Sequence, residues 1–150
     1  MPHTKSSRAA ASRARPTGGR SIGLAGAGTA KVLQKIEKGF PYDAVVRLHK
    51  ASGLSVGSIA QLVRIPQRTL MRRKANGRLR PEESERLLRV SGVFEKALEL
   101  FEGDADRARQ WLTTPKKELD NVPPLQLART EIGARDVEDL IGRLEHGVFT

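Results

Sequence analysis

The sequence predicts an all-α protein, on three observations. From residue 31 onward apolar residues recur at helical spacing; Leu87, Phe94, Leu98 and Phe101, for example, fall on one face. Proline, glycine and capping residues stand where these patterns break. No stretch reads as a strand.

Residues 1–30 have almost nothing to bury. Small residues, glycines and arginines without acids cannot offset the entropy of ordering, so this segment is expected to be a disordered basic arm. Val32, Leu33 and Ile36 then make a short amphipathic helix that stops at Gly39. Pro41 opens the next one, with Val45, Val46 and Leu48 before a Gly53 terminator. Ser55 is a good N-cap for a helix whose Val56, Ile59, Ala60 and Val63 form one stripe. Pro66 enters the following helix, and Asn76-Gly77 end it with a left-handed cap.

Pro81 and the acids Glu82 and Glu83 suit the first turn of a long helix. Gly92 within it costs on the order of 1 kcal/mol relative to Ala and marks a kink or a close helix crossing. Asp104 caps a helix that stops before Pro115; Trp111, at helical spacing from Ala108, reads as core. Pro123-Pro124 begin a helix ended by Gly133. The last helix starts near Asp136, repeats Val137, Leu140, Ile141 and Leu144, and ends at Gly147. The organisation expected is an arm over 1–30, a first helical domain over 31–80 and a small second helical domain over 81–150.

Charge is unevenly placed along this frame. The chain has 27 basic and 17 acidic residues, a net +10, yet residues 47–89 hold eleven bases against three acids while residues 90–150 hold eight against twelve. A basic front and an acidic back point to two surfaces with different partners, because net charge governs association more than fold. With no cysteine, disulfides, thiolate metal sites and thiol nucleophiles are excluded. No apolar run approaches the roughly 20 residues of a membrane span, and "SIGLAGAGTA" is too weakly apolar for a signal-peptide core, so a cytoplasmic location is expected.

Catalysis is not expected either. His3, His49 and His146 sit in unrelated segments without a metal-ligand companion one helical turn away. Asp104 and Asp106 suit capping better than acid–base work, and "GAGTAK" lacks the phosphate-loop spacing. No cofactor or metal is implied.

The densest basic stretch carries Arg68, Arg72, Arg73, Lys74, Arg78 and Arg80. It follows a short helix and a tight turn, the layout of a helix-turn-helix whose second helix enters the DNA major groove. Ala60 is small where the helices approach, while Ile65 and Leu70 face inward. That leaves Gln67, Arg68, Thr69, Arg72 and Arg73 outside, with Lys74 and Arg78 beyond them, as the candidate DNA contacts. Gln and Arg read adenine and guanine edges; Thr and Lys suit phosphates or methyl groups. Arg64 holds the turn position where such motifs usually place glycine, a strained choice if φ is positive there.

The second half carries "WLTTP", "PLQLARTEIG" and "VEDLIGRLEHG", preceded by "ESERLLRV". In this order and spacing they resemble Xre/ParS-type antitoxins over about residues 55–148. The family pairs a helix-turn-helix with a C-terminal toxin-binding domain. Asp120-Asn121 depart from the glycine-containing turn common there, but Asn also tolerates left-handed turns.

The resemblance implies a type II antitoxin that binds its toxin, often an NAD-consuming RES-domain protein, and represses its own operon as a homodimer on operator DNA. NAD would then be the toxin's substrate. A stand-alone regulator without a toxin is the alternative. The candidate toxin contacts are Arg143, His146, Gly147, Val148, Phe149 and Thr150, on the last turn and an apolar-tipped tail that its own core, a second copy or a partner could cover.

Overall fold

The computed structural model describes residues 18–147, among which eight α-helices occur. They are α1 (Thr29–Lys38), α2 (Asp43–Ser52), α3 (Val56–Leu62), α4 (Gln67–Asn76), α5 (Pro81–Leu100), α6 (Ala105–Thr113), α7 (Pro124–Leu127) and α8 (Glu131–Glu145). Extended pairing among the described residues is confined to two isolated bridges, Pro41 with Arg78 and Lys116 with Val122. The all-α expectation holds.

Helix α5 is the axis of the molecule. Leu87, Val90, Val93, Phe94 and Ala97 are completely buried along it, because α8 and α6 pack against it and α1 and α2 lean on it as well. A helix buried on most of its circumference needs small and apolar residues beyond a single stripe; Ser84, Ser91 and Gly92 supply them. Both serines are satisfied locally. Ser84 Oγ accepts the Phe40 N–H and donates to the Arg80 carbonyl, each at 2.8 Å, and Ser91 Oγ donates to the Leu88 carbonyl at 2.8 Å.

The caps read from sequence hold where the chemistry is local. Ser55 Oγ accepts the Ser58 N–H at 3.0 Å and Asp104 Oδ1 the Arg107 N–H at 3.1 Å. Gly53 and Gly77 close α2 and α4 in the left-handed conformation.

Four expectations are revised. Residues 18–28 are not a loose arm: Ile22 and Leu24 are buried, and the Arg20–Ile22 turn packs on α2 and α5. Residues 1–17, the rest of that arm, lie outside the described residues. Gly92 lies within an unbroken α5 and meets the backbone of Gly18 rather than a crossing helix; a Cβ added to Gly18 would lie 2.8 Å from Gly92 Cα. The helix begun at Pro124 ends at Leu127 rather than at Gly133. Gly133 belongs instead to the first turn of α8, which begins at Glu131 rather than near Asp136 and is capped by Thr130, whose Oγ1 accepts the Gly133 N–H at 3.0 Å. Glycine is required there because a Cβ would stand 2.0 Å from the Leu127 carbonyl oxygen.

Candidate functional site

The first site is built from α3, α4 and the turn between them. Ile59, Ala60, Val63, Ile65 and Leu70 are buried and fix the angle at which α4 leaves α3. The Ile65 N–H bonds the Ala60 carbonyl at 2.9 Å, closing the turn. Arg64 has φ +56°, so the condition under which arginine is strained at that turn position is met. From α5, Arg86 Nε donates to the Val63 carbonyl at 2.6 Å and so satisfies the open end of α3.

On α4, Gln67, Arg68, Arg72 and Lys74 are exposed. Thr69 is half-buried and its Oγ1 accepts from Arg72 Nη2 at 3.3 Å. Met71, also exposed, sits among them. Sequence reasoning passed over it, although its place four residues after Gln67 puts it on the same face. Such a face offers bidentate donors to base edges and an apolar contact for a thymine methyl.

Two of the anticipated contacts are otherwise engaged. Arg73 turns inward: Nε and Nη2 donate to the two Glu83 carboxylate oxygens at 2.8 and 3.2 Å, and the two side chains are only 12% and 7% exposed. Burial opposes the charge on Glu83, but hydrogen bonds from Arg73 and the Arg80 N–H, with the Arg73 and Arg86 charges, outweigh it and hold the carboxyl below its ordinary range. The same hydrogen bond raises Arg73 further above its normal value. Arg73 therefore fastens α4 to α5 and is withdrawn from the outer face. Arg78 is exposed, yet its Nη1 donates to the Gly39 carbonyl, tying the segment after α4 to the end of α1.

The second site lies at the far end of α5. Leu100, Phe101, Glu102, Arg107, Trp111 and Leu144 line a depression of about 480 Å³. The Phe101 and Trp111 ring centroids are 6.4 Å apart with planes tilted by 56°. Arg107 Cζ stands 5.2 Å from the Phe101 centroid and Lys116 Nζ 5.3 Å from the Trp111 centroid. Trp111 is only half-buried, so the reading of it as core is half right: one part packs inward and the other forms the floor of this depression. Arg143, His146 and Gly147 are exposed on the neighbouring last turn of α8. Val148, Phe149 and Thr150 lie outside the described residues.

Among the described residues no group of three or more His, Cys, Asp and Glu stands close enough to hold a metal. His49 is engaged through Nδ1 with the Leu54 carbonyl at 2.6 Å. Glu138, half-buried on α8, is raised above the ordinary carboxylate range by desolvation, with Lys96 opposing. No helix of the described residues is long and apolar enough to cross a membrane.

Comparison with known proteins follows the same division. Residues 31–92 match the Antitoxin Xre-like helix-turn-helix domain. Residues 96–147 match the Antitoxin Xre/MbcA/ParS C-terminal toxin-binding domain. The chain is 42% identical over 132 residues to a protein named Antitoxin Xre from Yersinia enterocolitica, with 87% of this chain and 89% of the relative covered. A protein of the same name from Photorhabdus laumondii is 34% identical over 132 residues, again covering 87% of this chain and 89% of the relative. Another from Pseudomonas putida is 30% identical, covering 78% of this chain and 72% of its own.

Proposed function

The chain belongs to the Xre antitoxin family, and from that premise we propose that it neutralises a cognate toxin by direct binding and represses its own operon through the helix-turn-helix. It is a binding protein rather than an enzyme. The observation that carries the reading is the pairing, on one chain, of the two matched domains, each with an open surface of fitting chemistry.

Gln67, Arg68, Thr69, Arg72 and Lys74 are the proposed DNA contacts, with Arg78 as a bracing residue that also presents charge. Two such helices on a homodimer would read the half-sites of a pseudo-palindromic operator one helical turn apart. The toxin is proposed to dock on the Phe101–Trp111–Leu144 depression together with Arg143, His146 and Gly147, with Val148, Phe149 and Thr150 as further proposed contacts. Aromatic rings in a partly covered, cation-flanked hollow are the kind of group that anchors a protein interface. A RES-domain toxin is the partner class implied by the family resemblance, and inhibition would then be steric occlusion of its NAD site. The cytoplasm is the proposed location.

The test is co-expression of the untagged chain with the tagged product of the neighbouring gene, followed by pull-down and a growth assay. A stoichiometric complex with rescued growth is expected. Arg68→Ala with Arg72→Ala should keep that rescue while weakening operator binding; deletion of residues 147–150 should do the reverse. If no complex and no rescue are found, the protein is a stand-alone DNA-binding regulator and the toxin assignment is wrong.

A further inference from the structure

Lys31, Lys35 and Lys38 stand four and three positions apart, along one face of α1. The flank beside them, with buried Val32 and half-buried Ile36, packs inward. Lys35 and Lys38 open into a cleft of about 340 Å³ that also has Arg47 and Arg78 on its walls, with Ile22 and Leu24 opposite. Its one acidic lining residue, Asp43, is occupied by Arg47 at 2.8 Å. Among the described residues no carboxylate lies within ion-pair distance of Lys35 or Lys38; Glu37, on the same helix, makes no ion pair with them.

This patch is continuous with the helix-turn-helix. Gly77 follows α4 directly, and its carbonyl accepts the Tyr42 N–H at 2.9 Å, while the Leu79 N–H bonds the Phe40 carbonyl at 2.9 Å. Backbone pairing thus fixes the end of α1 beside the end of α4. We infer that the α1 lysines form a second DNA contact, a sequence-independent clamp on the sugar-phosphate backbone flanking the groove that α4 enters. The inference rests on the DNA-binding reading of the helix-turn-helix.

A polyanion fits this surface better than a small anion does. The bases are strung along the surface rather than converging on one point: Lys31 to Lys38 spans about 10 Å at 1.5 Å per residue. One DNA strand presents about three phosphates over that length. Lysine ammonium groups on flexible stems suit such point-charge contacts, since they need no fixed fork geometry.

The experiment measures affinity by fluorescence anisotropy between about 50 and 200 mM KCl. Its probes are a labelled duplex from the DNA upstream of this coding sequence and a shuffled duplex of equal length. The full chain is compared with Lys35→Gln/Lys38→Gln. Two lost phosphate contacts should lower the slope of log K against log salt by about 2, so that the variant's deficit shrinks roughly tenfold across that range. The loss should be equal on both duplexes, since phosphates carry no sequence. Lys31→Gln alone, on an exposed side chain, should give about half the change in slope.

Lys35 and Lys38 also stand in the last turn of α1, at the negative end of its dipole. A role confined to that end would lower the melting temperature and leave the salt slope untouched, which would overturn the clamp. An equal fall in slope for Lys96→Gln/Lys117→Gln, neither of which lines the cleft, would overturn it as well, by showing a bulk-charge effect. Should the wild type bind neither duplex, the DNA reading falls and takes the clamp with it. A wild type that binds and a double variant that matches it would remove the clamp alone.

Discussion

Replacing Glu83 by alanine should damage the protein through the helix it holds rather than through any ligand. The carboxylate accepts two hydrogen bonds from Arg73 and a third from the Arg80 N–H, at 2.8, 3.2 and 2.8 Å. Removing one partner of a buried pair costs about 3–5 kcal/mol because the other charge is left without compensation. The Arg73 side chain keeps 12% of its surface exposed and can turn partly to water, which places its share near the lower limit. The lost cap at the start of α5 adds about 1 kcal/mol. The expected cost is about 3–4 kcal/mol, or a fall in melting temperature of about 10 °C for a chain of this length.

Urea unfolding followed by circular dichroism measures it, with the apolar replacement Arg73→Met/Glu83→Leu as the comparison; that double variant leaves no buried charge unpaired and should recover most of the loss. The pH dependence has a definite sign. Glu83 titrates below its unfolded value in the folded protein. Its contribution is therefore complete above about pH 4.3, the unfolded value, and is lost as pH falls through the depressed folded one. The gap between wild type and Glu83→Ala should stay constant from pH 7 to about pH 5 and close below that. A cost under about 1 kcal/mol at pH 7 would refute the reasoning. So would an Arg73→Ala variant that loses DNA affinity with an unchanged melting temperature, since Arg73 would then belong to the outer face.

Three further outcomes are expected. Arg64→Gly relieves a left-handed arginine and should raise stability by about 1 kcal/mol, read as a rise of about 2–4 °C in melting temperature; a fall would show that the Arg64 side chain holds the turn. Gly133→Ala drives a Cβ into the Leu127 carbonyl and should cost about 3 kcal/mol in urea unfolding, so an unchanged midpoint would contradict the close approach of α7 and α8. Glu138→Gln should stabilise the protein at neutral pH, where the desolvated carboxylate is charged, with the gain fading as pH falls through its raised folded value and the wild type takes up its proton; a gain that persisted in acid would assign the effect to packing.

The features legible in the sequence are those whose cause lies within a few residues. Ser55 and Asp104 as caps, Gly53 and Gly77 as terminators, and Arg64 at a left-handed turn are decided by local backbone chemistry, and each stands in the structure as read. The misreadings have distant causes. Arg73 looks like its neighbours on a helical wheel, and only the return of the chain into α5 brings Glu83 against it. Ile22 and Leu24 are too few to advertise a buried segment; they are buried because Gly18 can approach Gly92, seventy-four residues away. Trp111 is split between core and surface, a distinction that spacing alone cannot express. The Thr130 cap was within reach, since Thr-Glu ahead of an apolar stripe begins helices, but the preceding prolines pulled the boundary toward Gly133.

The two surfaces share one element and no residue. The first turns of α5 serve the DNA side: Glu83 pins α4, Ser84 holds the Phe40 backbone and Arg86 closes α3. The last turn and Phe101 just beyond it form one wall of the aromatic depression. The matched domains meet inside this helix, one ending at residue 92 and the other starting at 96, with no linker between them. Twenty residues at 1.5 Å each hold the two ends about 30 Å apart. Leu87, Val90, Val93 and Phe94 are completely buried along the way, so bending or rotating α5 would open the core that both halves share. A flexible linker would leave each domain free to find its partner separately; an unbroken buried helix instead sets the direction in which one surface faces once the other is engaged.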